Sequence, residues 1–210
     1  MGTTARTIAC CALLLTGCSS QISGLAVLPP TERPGVPGAI DVDALLLDIS
    51  QMRALTGAGD DLAIIPSMDG KSPVDIELLA RQVPPSCRFL FIESEIFRSE
   101  VTDFHKTTYQ NPPEAALISQ AAAAYPDAQT ARAAFDALVD AAGACAYTSA
   151  GAALVGQVSS GNESMTIRPS STCGRDYALK SVVLAEVTFC RYPASVPELV
   201  MTNLLRGVPG

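Results

Sequence analysis

The chain contains no tryptophan, a single histidine and only 5% aromatic residues. With one imidazole, a histidine-rich metal centre is excluded, and His105 is the only histidine available as a general base. The seven cysteines include no C-x-x-C pair, so zinc-site spacing is also missing and no metal or cofactor is expected. No nucleophile elbow occurs. The nearest stretch, Gly156-Gln157-Val158-Ser159-Ser160-Gly161, has the wrong spacing. Gly57-Ala58-Gly59 lacks the rest of a dinucleotide fingerprint, and Glu93, Glu95 and Glu100 lack the loop pattern of a calcium site. At a net charge of −7 the chain has no clustered Lys and Arg to displace counterions, so nucleic acid is not an expected partner. The longest apolar run falls short of the roughly 20 residues that a membrane-spanning helix needs. What remains is hydrophobic: 48% of the 210 residues are apolar and 17% charged, enough for the core of one domain of ordinary size.

The apolar residues begin early. Arg6 is followed by an apolar run from Ile8 to Leu15, the length of the apolar region in a secretory signal (roughly 7–15 residues). The run ends in Leu15-Thr16-Gly17-Cys18, which resembles the bacterial lipobox: an aliphatic residue, two small ones, then cysteine. In such signals the cysteine thiol accepts a diacylglyceryl group, and cleavage leaves it as the first residue. The expectation is therefore a signal over residues 1–17 and lipid attachment at Cys18. Acyl chains such as palmitate, at about 0.8 kcal/mol per buried CH₂, would hold the protein on the extracytoplasmic face of the cell membrane. Cys10 and Cys11 leave with the signal, and Cys18 carries lipid. Cys87, Cys145, Cys173 and Cys190 remain. An even number in an exported domain reads as two disulfides, with three connectivities open.

Residues 18–40 hold four prolines and several glycines and read as a tether, followed by a domain over residues 41–210. Asp41 is placed to cap a helix with Leu45, Ile49, Met52 and Leu55 on one face, ended by Gly57 and Gly59. Leu62 to Ile65 predicts a short strand, Ser67 to Gly70 a turn, Asp75 to Val83 a short helix, and Glu100 to Tyr109 a strand. Cys87 to Phe97 fits either strand or helix. The alanine-rich stretch from Glu114 to Tyr125 favours helix by propensity, but Pro112-Pro113 and Pro126 bracket it, and a buried strand is the preferred reading. Asp127 then caps a helix with Ala131, Phe135, Leu138 and Ala142 on one face. Strands are predicted at Cys145–Ser149, Ala152–Val158, Ser164–Arg168 and Val182–Phe189, before a closing helix from Pro193 to Leu205. Consecutive strands with short turns imply antiparallel pairing, hence an α+β fold.

These segments, in this order, resemble the PknH-like extracellular sensor domain of mycobacterial lipoproteins and receptor kinases. The resemblance rests on DALLLDISQMRALTGAGDDL from Asp43, Val83-Pro84-Pro85-Ser86-Cys87, ISQAAAAYPDAQTARAAFDAL from Ile118, and PASVPELVMTNLL after Cys190. It covers about residues 41–208. It implies a central antiparallel sheet, the pairings Cys87–Cys145 and Cys173–Cys190, and a cleft for an unidentified ligand. One departure stands out: the family usually carries tryptophan just before its second cysteine, where this chain reads Ala142-Gly143-Ala144-Cys145. No kinase domain is expected in the same chain.

The resulting expectation is a lipid-anchored envelope protein whose sensor-like domain holds an apolar or mixed small molecule. A docking module for another envelope protein is the alternative. A hydrolase built on His105, with Asp103 and Lys106 as its neighbours in sequence, is a distant third. No enzyme activity is expected. Asn162-Glu163-Ser164 matches a glycosylation triplet, a mark that belongs to a different secretory system.

Overall fold

The computed structural model describes residues 40–209. Its centre is a seven-stranded, wholly antiparallel sheet: β1 Ala63–Gly70, β2 Asp103–Asn111, β3 Ala116–Ala124, β4 Gln157–Ser160, β5 Ser164–Arg168, β6 Cys173–Lys180 and β7 Val183–Cys190. They lie in the order β1-β2-β3-β7-β6-β5-β4. Six α-helices flank it: α1 Ile49–Thr56, α2 Glu77–Ala80, α3 Glu93–Phe97, α4 Ala128–Ala146, α5 Ser149–Val155 and α6 Ser195–Arg206. The fold is α+β, with apolar cores on both faces of the sheet.

β3 explains how both faces are covered. It pairs with β2 and β7 along its whole length, and nearly all of its residues are buried. Its alanines are good helix formers, but the strand's ladder hydrogen bonds to two neighbours override that preference. Short side chains also let elements pack closely on each side. Ala121 and Ala123 meet Phe135, Leu138 and other α4 residues, while Ala122 and Ala124 meet Val42, Leu45 and Val208. α4 begins at Asp127, whose carboxylate accepts the Thr130 N–H at 2.7 Å. It buries Ala131, Phe135, Leu138, Ala142 and Cys145 along one stripe.

Several segments differ from the sequence expectation: Ser67–Gly70, expected as a turn, is the second half of β1, and Cys173–Lys180, with no element expected, is β6. The single opening helix is split into a short 3₁₀ turn at Val42–Ala44 and α1. Between them the Leu47 backbone turns to the sheet, bonding the Gln120 side chain at 3.0 and 2.6 Å, so those groups cannot join a helical ladder. Asp48 restarts the helix through a capping box with Gln51. Of the two readings open for Cys87 to Phe97, helix is the one found, as a 3₁₀ segment Pro85–Leu90 followed by α3.

A further difference lies at Cys145–Ser149 and Ala152–Val158, both expected as strands. α4 runs through Ala146, α5 occupies Ser149–Val155, and only Gln157–Ser160 is strand. Thr148 caps α5 by accepting the Gly151 N–H at 2.9 Å. Gly151 packs directly on the Cys145 carbonyl, where a Cβ has no room. Gly156 closes the helix with φ of +60°, conformational space open mainly to glycine, and turns the chain into β4.

The disulfides join Cys87 to Cys145 and Cys173 to Cys190, the pairing that the resemblance implies. The first ties the 3₁₀ segment to the end of α4. The second bridges directly opposed residues of β6 and β7.

Candidate functional site: a cleft over the open end of the sheet

Strand alternation sorts side chains between the two faces. On the α4 face, Lys106, Ala121, Glu186 and Tyr177 form one cross-strand row. Thr108, Ser119, Thr188 and Arg175 form the next. α3, α4 and the 3₁₀ segment cover the half of this face that carries Phe104, Ala121, Ala123 and Leu184. Beyond them lies a cleft of about 490 Å³, with Leu117, Ser119, Thr188, Arg175 and Lys106 on its floor.

The walls come from three segments. β1 carries a bulge, with Ile64 opposite Tyr109 but Asp69 opposite Thr107. The extra residues swing Ser67 and Met68 to the cleft. The strap from Ser72 to Leu79 forms the second wall. It is pinned by Ile76 N–H to the Phe91 carbonyl (2.8 Å), Val74 N–H to Glu93 Oε2 (2.8 Å), and Ser94 N–H and hydroxyl to the Asp75 carboxylate (3.0 and 2.7 Å). Leu90, Phe91 and Glu93 form the third. Cys87–Cys145 fixes this last segment from behind, and Arg175 Nη2 donates to the Leu90 carbonyl at 2.8 Å from the floor.

The upper walls are apolar and the floor is charged. Met68, Val74, Ile76 and Leu79 stay exposed around the mouth, and next to them Leu78 is 74% exposed. Lys106 pairs with Glu93. Glu186, 1% exposed, accepts the Thr188 hydroxyl on Oε1 at 2.6 Å, while its Oε2 has no protein partner. Burial works against the charge on Arg175, but Tyr177 and Glu186 beside it raise its pKa above the usual value. Burial in turn pushes the Tyr177 hydroxyl far up.

His105 is on the other face, behind the bulge. Its Nδ1 lies 2.8 Å from Asp43 Oδ1 and its Nε2 2.9 Å from Asp69 Oδ1. Lys71 pairs with Asp43, and the Thr107 hydroxyl donates to Asp69 at 2.9 Å. Both ring nitrogens face carboxylates, so the imidazole is a tie between the first 3₁₀ turn, β1 and β2. The Lys71 hydrogen bond lowers the Asp43 pKa, and the His105 hydrogen bond lowers that of Asp69, each against partial burial. A folded-state pKa below the unfolded value makes a carboxylate stabilising above about pH 4, and the gain is lost as pH falls through the folded value. Asp43 and Asp69 keep 52% and 40% of their side-chain surface exposed, so screening holds each contribution under about 1 kcal/mol. The double variant Asp43→Asn/Asp69→Asn is expected to lose less stability than the wild type between pH 5 and pH 3, measured by urea unfolding at both.

The other sequence candidates separate. Glu95 pairs with Arg88 at 3.0 Å, away from the Lys106–Glu93 pair. Ser159 and Ser160 sit on β4 at the sheet edge. Asn162 uses its carbonyl to accept from Arg132. Among the described residues, no group of three or more His, Cys, Asp or Glu is placed to hold a metal ion. Among the described residues, no single helix is long and apolar enough to cross a membrane. Cys18 lies outside the described residues. Sequence reading weighed Glu93 and Lys106 only for other chemistry and did not bring the cleft together. The available signal was Glu186 and Thr188, polar residues at alternate positions of the otherwise apolar β7.

No curated protein matches the chain significantly. Among solved structures, the extracellular domain of PknH from Mycobacterium tuberculosis superposes with a TM-score of 0.57 at 17% identity, covering 78% of this chain and 92% of that one. That likeness concerns the fold. The PknH-like extracellular domain family matches residues 37–202, most of the chain. Because that family model spans most of the sequence, the chain belongs to the PknH-like extracellular domain family, a sensor-type domain of the extracytoplasmic side.

Proposed function

We propose that this protein is a cell-envelope lipoprotein, anchored through Cys18 and held off the membrane by residues 18–40, whose domain binds a small molecule in the cleft between the strap and the sheet. The observation that carries this reading is the cleft: about 490 Å³, with apolar walls over a polar floor, within the usual range of roughly 300–1,000 Å³ for ligand pockets. Its walls are clamped by a disulfide and by backbone hydrogen bonds, which supports a largely preformed site. No reaction is assigned to it.

Native mass spectrometry of the full chain extracted from its own membranes tests the proposal. The expected species begins at Cys18, carries diacylglyceryl and acyl groups, and retains a small molecule. Cys18→Ser is expected to abolish processing and anchoring. A bare, unshortened chain without ligand would overturn the reading. A second reading, docking of another envelope protein, is favoured by the apolar residues that continue outside the cleft to Leu78. In-cell crosslinking from position 78 separates the two: a recovered protein supports docking, and lipid alone argues against it.

A further inference from the structure

We propose that the cleft takes a single-chain amphiphile with a neutral, hydroxyl-bearing head, an inference that rests on reading the cleft as a ligand site. The tail follows from the walls. Met68, Val74, Ile76, Leu79 and Phe91 line the upper cleft, and the first four remain exposed in the free domain. Covering them with an aliphatic chain removes apolar surface from water, at about 25 cal/mol per Å². The modest cavity, about 490 Å³, suits one chain rather than two.

The head follows from the charge balance below. Two cations, Lys106 and Arg175, stand on the floor; Glu93 faces them from the wall, Asp69 at the bulge is held by His105, and Glu186 lies buried behind the lining on the Lys106 row. Lys106 and Glu93 are already joined, and Glu93 also holds the Val74 N–H. A phosphate or carboxylate head would lose its water beside the Glu93 carboxylate. An ammonium head would meet Lys106 and Arg175. Either leaves a like-charge contact in a poorly solvated site. Hydroxyls both donate and accept, and the floor offers both roles. Ser119, Thr188 and Arg175 line the cleft. Behind the lining, on the same rows, Glu186 Oε2 and Thr108 Oγ1 are buried without protein partners. Buried polar groups are nearly always paired, so Glu186 Oε2, behind the lining, favours a bound water that a hydroxyl head can bond in turn.

The test uses the full chain in nanodiscs, with empty nanodiscs subtracted, and three probes of equal chain length kept below micelle formation: octyl β-glucoside, octyl phosphate and octyltrimethylammonium. Binding is read by native mass spectrometry and by the shift in melting temperature. Glucose serves as the headgroup alone, and Ile76→Glu, at an exposed wall position, as the cleft variant. Octyl glucoside is expected to raise the melting temperature, to bind at least about tenfold more tightly than either charged congener, and to lose that binding in Ile76→Glu. A charged congener binding as well as the glucoside, with Ile76→Glu still blocking it, overturns the neutral head while the cleft reading stands. Glucose binding as tightly as its octyl derivative overturns the amphiphile. Octyl binding unchanged by Ile76→Glu overturns this proposal and counts against the cleft itself. If no octyl probe binds but natively extracted protein carries an Ile76-dependent ligand, the ligand class falls and the site remains.

Discussion

Replacing Cys87 and Cys145 together by alanine is expected to destabilise the domain by about 4 kcal/mol. The bridge closes a loop of 58 residues, and chain-entropy reasoning assigns a loop of that length roughly this much. That loop contains β2, β3 and most of α4, so opening it frees the middle of the chain in the unfolded state. Both sulfurs are also fully buried against Phe89, Leu138 and Ala142, so the folded state loses packing as well. The matching Cys173→Ala/Cys190→Ala variant is the control. Its loop spans 17 residues, giving about 3 kcal/mol at most, and the β6–β7 ladder already holds those ends together. Urea unfolding of both variants checks the order. If the shorter bridge proves the more valuable, loop closure is not what the disulfides contribute. The longer bridge also has a functional consequence. It backs the wall formed by Leu90, Phe91 and Glu93, so its loss is expected to weaken ligand retention before the domain unfolds.

The second large effect is at Gln120. This fully buried side chain accepts the Leu47 N–H at 3.0 Å, donates to the Leu47 carbonyl at 2.6 Å, and lies 3.2 Å from the Tyr109 hydroxyl. Tyr109 itself donates to the Leu47 carbonyl at 2.9 Å, and burial pushes its pKa up to about 12. Gln120→Leu keeps the volume but leaves the Leu47 N–H buried without a partner. The expected loss is about 2–3 kcal/mol, the penalty for an orphaned donor together with the weakened network around it. Tyr109→Phe removes one of the two donors to the Leu47 carbonyl and is expected to lose less, about 1 kcal/mol. Equal losses from the two substitutions would mean that the Leu47 backbone finds another partner. Hydrogen exchange adds a local readout: the Leu47 amide is expected to lose protection in Gln120→Leu and to keep it in Tyr109→Phe.

Much of the fold was legible because local chemistry and tertiary structure agreed. Asp127 with Ala131, Phe135 and Leu138 announces a capped amphipathic helix, and α4 is that helix. The prolines bracketing residues 114–125 were enough to argue against a helix there, although alanine favours one. The order of short strands with short turns pointed to antiparallel pairing, which the register shows throughout.

Where reading failed, a distant partner decided. Leu47 breaks the first helix because Gln120, 73 positions away, takes its backbone groups. Gly151 makes sense as helix only when the Cys145 carbonyl is seen lying against it. The cleft was the least legible feature. Lys106, Ser119, Arg175 and Thr188 come from four strands, and only the order β2-β3-β7-β6 sets them side by side. From composition and pattern alone came the α+β class, the even set of four cysteines, the start of α4 at its Asp127 cap, and the absence of metal and nucleotide motifs. Those depend on residues close in sequence. The site depends on strand register and on a strap clamped by Glu93, Asp75 and Phe91, contacts that exist only after the chain has closed loops of tens of residues.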